Sequence, residues 1–208
     1  MKIFSILLFF SLPFSHFEQV NQQITDARDG NTYDTIHIGN LIWFQEDLRY
    51  VSEKSYCATE KNKEEVCSRS NYYAREEAAS VCPEGWRLPT WQEWEAVVNQ
   101  MIESSEASVV KDSAFFEDRS MLVQLKGLDI NAASQLKFDL NKGWVEGKRI
   151  RQNGSYTLWI NNTAYDHNRF HLHLGATSFV GHHHEHHVVD KVRKVRRFCV
   201  RCVKEKEE

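Results

Sequence analysis

The run Cys82-Pro83-Glu84-Gly85-Trp86-Arg87-Leu88-Pro89-Thr90-Trp91-Gln92-Glu93-Trp94 constrains the fold of this chain more than any other segment. Pro83 and Gly85 on either side of Glu84 have the composition of a tight turn, and Pro89 keeps a helix from running back through Leu88. Thr90 followed three residues later by Glu93 has the spacing of a capping box, so a helix is predicted to begin at Trp91. Along it Trp91, Trp94, Val98 and Met101 recur at spacings of three and four, with Gln92, Glu93, Glu95 and Gln100 turned elsewhere. Tryptophans at helical spacing are first of all core residues rather than a ligand platform.

A chain of 208 residues, 41% hydrophobic and 12% aromatic, has material for one folded domain with a proper core. Its first fifteen residues differ in kind. Lys2 precedes an apolar run from Ile3 to Phe10 that is too short to span a bilayer and ends near Pro13 and Ser15. Residues 1–15 therefore read as a secretory signal peptide and residues 16–24 as a short polar leader. The protein is expected to be exported to the periplasm, the outer surface or the medium, with no transmembrane span in the mature chain.

Removing residues 1–15, whose only charge is Lys2, takes the formal net charge from -3 to -4. Mild acidity argues against nucleic acid as a partner. Lys191, Arg193, Lys194, Arg196, Arg197 and Arg201 nevertheless concentrate positive charge near the C terminus. They read as a solvated strand face, with an anionic surface polysaccharide as the alternative use.

Asp29-Gly30-Asn31 signals a turn, and the runs Tyr33 to Ile38 and Leu41 to Phe44 around Gly39-Asn40 read as a hairpin. A helix is expected from about Ala74 to Val81, and residues 103–112 are loop-like in composition. Later strands are predicted at Tyr156 to Ile160, through Phe170, Leu172 and Leu174, and through Phe198, Val200 and Cys202. Strands at both ends around two helices favour an α+β domain, closed by a charged tail at residues 204–208.

In an oxidising compartment five cysteines pose a disulfide problem, with one thiol left over. Cys57 and Cys67 suit a local clasp. Cys199-Val200-Arg201-Cys202 matches a C-x-x-C pattern, but it lies in β-alternating sequence rather than at a helix start, which weakens a redox or zinc reading. The same alternation turns Cys199 and Arg201 away from the face of Phe198, Val200 and Cys202, so Cys199 is expected to be reachable by reagents.

The histidines His171, His173, His182, His183, His184, His186 and His187 crowd into a short stretch. Imidazoles at this density bind zinc, copper or nickel through alternative pairs, with His171 and His173 on an outward strand face. A low-complexity hairpin tip rarely supplies the second-shell partners of a defined site, so adventitious metal affinity without a resident cofactor is the expectation. Asp26, Asp29, Asp34 and Glu46 lack calcium-loop spacing, and no phosphate loop or nucleophile elbow is visible.

Several segments together resemble the Fibrobacter succinogenes major paralogous domain. They are the Cys82–Trp94 run, Thr25-Asp26-Ala27-Arg28-Asp29-Gly30-Asn31-Thr32-Tyr33, the strand pair from Ile38 to Leu48, Ser70-Asn71-Tyr72-Tyr73, Leu158-Trp159 and Phe198-Cys199-Val200-Arg201-Cys202-Val203. The resemblance covers residues 25–203 and makes Asp29, Gly30, Trp43, Trp86, Pro89, Trp94 and Trp159 the positions that define the fold. It implies a single compact domain related to C-type-lectin-like and formylglycine-generating-enzyme-like folds, with its termini close together and no established catalytic residues. It further implies a bridge from Cys82 to Cys202, which leaves Cys199 as the free thiol. The functional expectation is a non-catalytic binding module, displayed or secreted, for a glycan or other envelope component; the alternative is a metal-binding domain built on the late histidines. The Glu-Pro-Asn and Gln-Pro-Asp signatures of calcium-dependent sugar binding are absent.

Overall fold

A computed structural model of the chain describes residues 22–57, 71–104, 110–115, 121–126, 136–138, 143–146, 149–151, 155–161, 170–175, 178–183 and 196–207. The expected signal peptide, Cys67, His184, His186, His187, Lys191, Arg193 and Lys194 lie outside them. The first strand, β1 (Gln22–Thr25), turns back into β2 (Thr32–Ile38) through the Asp29-Gly30-Asn31 signal. Gly30 takes φ +76° there, and its N–H donates to the Asp26 carbonyl at 2.8 Å. β2 and β3 (Leu41–Phe44) form the expected hairpin, with Ile38 opposite Leu41.

The segment from Cys82 folds as its turn chemistry dictates. The Trp86 N–H donates to the Pro83 carbonyl at 2.9 Å, and Gly85 at φ +77° occupies the third turn position, where a left-handed backbone suits glycine. The helix α2 (Trp91–Ser104) follows with its capping box in place: Glu93 Oε2 accepts the Thr90 N–H at 2.7 Å, and Thr90 Oγ1 accepts the Glu93 N–H at 3.3 Å. Trp91, Trp94, Val97, Val98 and Met101 are all buried, and the ring of Trp94 meets Trp43 edge-on at 4.9 Å.

The preceding helix departs from expectation. β4 (Tyr73–Ala74) leads into α1 (Arg75–Ala78), a single turn rather than the helix expected to Val81. Ala74 offers no side-chain cap, and Val81 is drawn into the core beside the disulfide-bonded Cys82. Burial of Val81 wins over local helix propensity, a weak preference that packing routinely overrides.

Among the described residues the strands form three antiparallel sheets. β1, β2, β3 and β13 (Val203–Glu205) form one, so the first and last strands share a sheet. A second has the order β5 (Val110–Phe115), β6 (Met121–Lys126), β11 (Ser178–His183), β10 (Phe170–Gly175), β9 (Ser155–Trp159). The third joins β4, β12 (Arg196–Phe198), β7 (Trp144–Glu146) and β8 (Arg149–Arg151). The loop-like stretch 103–112 is thus partly regular, because α2 runs to Ser104 and β5 finds a partner in β6. The late histidines also do not begin a loop: β11 continues through His183, paired with β10.

Two cores lie on opposite sides of the central strands. One gathers Ile36, Trp43, Trp94, Leu158, Leu172, Cys199 and Val203; the other gathers Tyr33, Phe44, Tyr73, Trp159, Phe198, Val200 and Cys202. Chain neighbours such as Trp43 and Phe44, Leu158 and Trp159, or Cys199 and Val200 therefore divide between the cores, as alternating side chains on a strand must. No described helix is long and apolar enough to cross a membrane.

Two stability outcomes follow from these contacts. Thr90→Ala should cost about 1 kcal/mol in urea unfolding, with Thr90→Ser retaining most of it. Asp26 is buried, and the Arg28 side chain, whose Nη2 lies 2.6 Å from Oδ2, holds its carboxyl below the usual range against the effect of burial. Its contribution is therefore complete above the unfolded-state pKa of about 3.9 and is lost as pH falls through the lower folded value. The urea-midpoint difference between the native chain and Asp26→Asn should be constant near neutrality and shrink in that acidic window.

Candidate functional site

The terminal segment from Phe198 to Val203 is where the two cores meet. Every residue in it is buried, including Arg201 at 1% exposure. Its backbone is held on both sides: the Trp159 N–H donates to the Cys199 carbonyl at 3.0 Å, the Phe44 N–H to that of Cys202 at 3.0 Å, and the Leu48 N–H to that of Val200 at 2.9 Å. Arg201 is no part of a solvated cationic face. Its Nη2 donates to Asp47 Oδ1 at 3.1 Å and to the Lys137 carbonyl at 2.7 Å, and its guanidinium lies 5.0 Å from the centre of the Phe138 ring. Burial pulls the Arg201 pKa down from its ordinary value, and the Asp47 carboxylate opposes that pull.

Cys82 and Cys202 are joined, with Cα atoms 5.9 Å apart, tying the turn before α2 to the segment that leads into β13. Cys57 is disulfide-bonded as well. Cys199 carries the free thiol but is fully buried, which corrects the expectation of a reachable one. The alternation does place it opposite Val200 and Cys202; what lies on that other side is the second core rather than solvent.

The fold-defining tryptophans have distinct tasks. Trp159 donates its indole N–H to the Tyr73 carbonyl at 2.7 Å and meets Phe198 edge-on at 4.4 Å. Pro89 is buried, and its carbonyl accepts the Asn161 N–H at 2.8 Å. Trp86 is only partly buried, packed on Phe44 at 4.5 Å with the Lys204 ammonium 5.6 Å from its ring centre.

Trp86 also borders a groove of about 430 Å³ whose other walls are Glu84, Gly85, Arg87, Lys204, Glu205 and Glu207. Two segments far apart in sequence make it. The Pro83 turn supplies one wall and β13 the other, clasped where Arg87 and Val203 exchange backbone hydrogen bonds at 2.9 and 2.8 Å. Arg87 is fixed in place: its guanidinium bonds Glu93 at 2.9 and 2.7 Å and Glu205 at 2.6 Å, and these carboxylates raise its pKa. Burial works to raise the Glu93 pKa, but Arg87 and the Thr90 amide outweigh it and hold the carboxyl low. Lys204 lies 3.5 Å from Glu207, an exposed pair that a ligand can open at small cost. Sequence reasoning assigned residues 204–208 to a tail and so missed the groove; Lys204 and Glu205 belong to β13.

The histidine candidates divide. His171 stands opposite His182 in the β10–β11 pairing, and His183 stands opposite Phe170. His173 is half-buried rather than outward, with Nδ1 2.9 Å from Thr157 Oγ1 and its ring facing Phe198. Among the described residues no group of three or more metal-ligating side chains converges.

A family model described as the Fibrobacter succinogenes major domain matches residues 36–204. The chain belongs to the Fibrobacter succinogenes major domain family. No curated protein and no solved structure matches it. The Fibrobacter succinogenes major domain here runs from within β2 to within β13, so it contains most of both cores, both ends of the Cys82–Cys202 bridge and most of the groove.

In this domain Arg201 and Asp47 should behave as a coupled buried pair. Arg201→Met alone strands the Asp47 carboxylate and should cost roughly 3–5 kcal/mol in chemical denaturation, much of it recovered when Asp47→Leu is added. Cys199 should resist maleimide labelling in the native protein and react with one equivalent in denaturant; rapid native labelling would contradict the burial.

Proposed function

We propose that this protein is an exported, non-catalytic binding module with a C-type-lectin-like or formylglycine-generating-enzyme-like arrangement, and that it engages a glycan or another envelope component through the Trp86 groove. The observation that carries this reading is the make-up of the groove: an aromatic wall, three carboxylates and an ammonium on one concave surface. Sugar hydroxyls need both acceptors and donors, and an aromatic edge packs against the apolar face of a sugar ring. The groove is pre-shaped, because Arg87 is locked by Glu93 and Glu205 and the disulfide ties the Cys82 turn to the residue just before β13. Ordering losses on binding are correspondingly small.

The absence of a calcium signature points to recognition without a metal. A hydroxyl and an imidazole do meet at Thr157 and His173, but Thr157 is fully buried and the contact braces β9 against β10. That arrangement supports binding over turnover. The fold analogy supplies the class of ligand and does not by itself fix the function.

A glycan array probed with the full chain should give hits that persist in chelator. Glu84→Ala and Glu207→Ala, both at exposed positions, should each weaken the hits severalfold while leaving the urea midpoint within about 0.5 kcal/mol of the native value. Hits insensitive to both changes, or an array without hits, would remove the groove or the glycan from the account.

A further inference from the structure

The charges of the Trp86 groove do not balance. Glu84, Glu205 and Glu207 line it against Arg87 and Lys204, and Arg87 is shared with a further carboxylate, that of Glu93. Carboxylates therefore outnumber cations by four to two. Glu205 is engaged by Arg87, and Glu207 lies 3.5 Å from Lys204. Glu84 is exposed and makes no ion pair among the described residues. Such an excess repels an anionic ligand, gives a neutral one nothing and attracts a cationic one.

The aromatic wall already carries a cation. The Lys204 ammonium lies 5.6 Å from the centre of the Trp86 ring, within the distance at which the negative face of an indole attracts positive charge. Its partner Glu207 is 92% exposed, and an exposed pair of this kind contributes little to stability. A ligand ammonium can therefore take the place of Lys204 over Trp86 at small cost. The ring itself stays where it is, packed on Phe44 at 4.5 Å, with the Trp86 N–H held by the Pro83 carbonyl at 2.9 Å.

We propose that the groove selects a sugar bearing a free, protonated amine, whose ammonium replaces that of Lys204 over Trp86 and pairs with Glu84 and Glu207. The selection rests on the glycan reading of the groove and narrows it. The same sugar with its amine acetylated is neutral and keeps only ring packing and hydroxyl hydrogen bonds. Lys204 is then a competitor for the site, built into β13.

The test compares two oligosaccharides of equal length, one of glucosamine and one of N-acetylglucosamine, titrated calorimetrically into the full chain at about pH 6, where amines are protonated and carboxylates ionised. The glucosamine form should bind more tightly, on the order of fivefold or more. Glu84→Gln should bring the ratio of the two affinities toward one, because it removes attracting charge. Lys204→Met should raise that ratio, because it removes the competitor. The preference should also shrink in high salt, and fade as pH rises and the ligand amine loses its proton. A lysine tripeptide, which carries ammonium groups without a sugar ring, should bind more weakly than the glucosamine form. Urea midpoints establish folding of each variant, and Lys204→Gln replaces Lys204→Met if the latter is unstable. Equal affinity for the two oligosaccharides, or a ratio that neither substitution moves, would overturn the amine selection while leaving the glycan reading in place. Tighter binding of the lysine peptide would overturn it in favour of a protein amine. Binding of neither oligosaccharide, together with an array without hits, would remove both the selection and the glycan reading.

Discussion

The buried ion pair between Arg201 and Asp47 lies at the Phe198–Val203 segment, where the two cores meet. A guanidinium taken from water costs several kcal/mol unless charge and hydrogen bonds compensate, so Arg201 can occupy the interior only while Asp47, the Lys137 carbonyl and the Phe138 ring stay in place around it. Those partners come from two parts of the chain distant from Arg201 itself. The pair thereby couples the loop after β3, the segment before β7 and the connection between β12 and β13, and around it the Phe198–Val203 segment sends side chains into the two cores. The Cys82–Cys202 bridge fastens the same segment to the turn before α2.

This arrangement decides what could be read from the sequence. The start of α2 was legible to the residue, because the capping box and the apolar stripe are local signals that tertiary packing reinforces, whereas its last turn was read as loop. The β2–β3 hairpin was legible for the same reason. Cys199 and Arg201 were misread because alternation reports which residues share a face, not whether the opposite face meets water. Arg201 lies 154 positions from Asp47, and no local pattern announces a partner at that distance. The short α1 and the strand β5 were misjudged in opposite directions, one losing residues to the core and the other gaining a ladder from β6. The groove escaped notice because its walls lie more than a hundred residues apart and meet only through the Arg87–Val203 pairing.

A scaffold of this kind leaves its chemistry at the margins. The central strands are covered on both faces, and the side chains around Arg201 serve the packing. The Trp86 groove lies on the Pro83 turn and β13, which the Arg87–Val203 hydrogen bonds and the neighbouring disulfide hold in a fixed relation.

The central claim is that the Phe198–Val203 segment and the strands beside it open only when the whole domain unfolds. Native-state hydrogen exchange reads this directly at the amides of Phe44, Leu48, Trp159, Cys199 and Val203, each hydrogen-bonded into or across the segment. All five should exchange with the same free energy and denaturant dependence, equal to those of global unfolding and shared with the buried turns of α2. Exchange of these amides at distinctly lower free energy, while α2 remains protected, would show that the segment opens on its own and that the two cores do not depend on it.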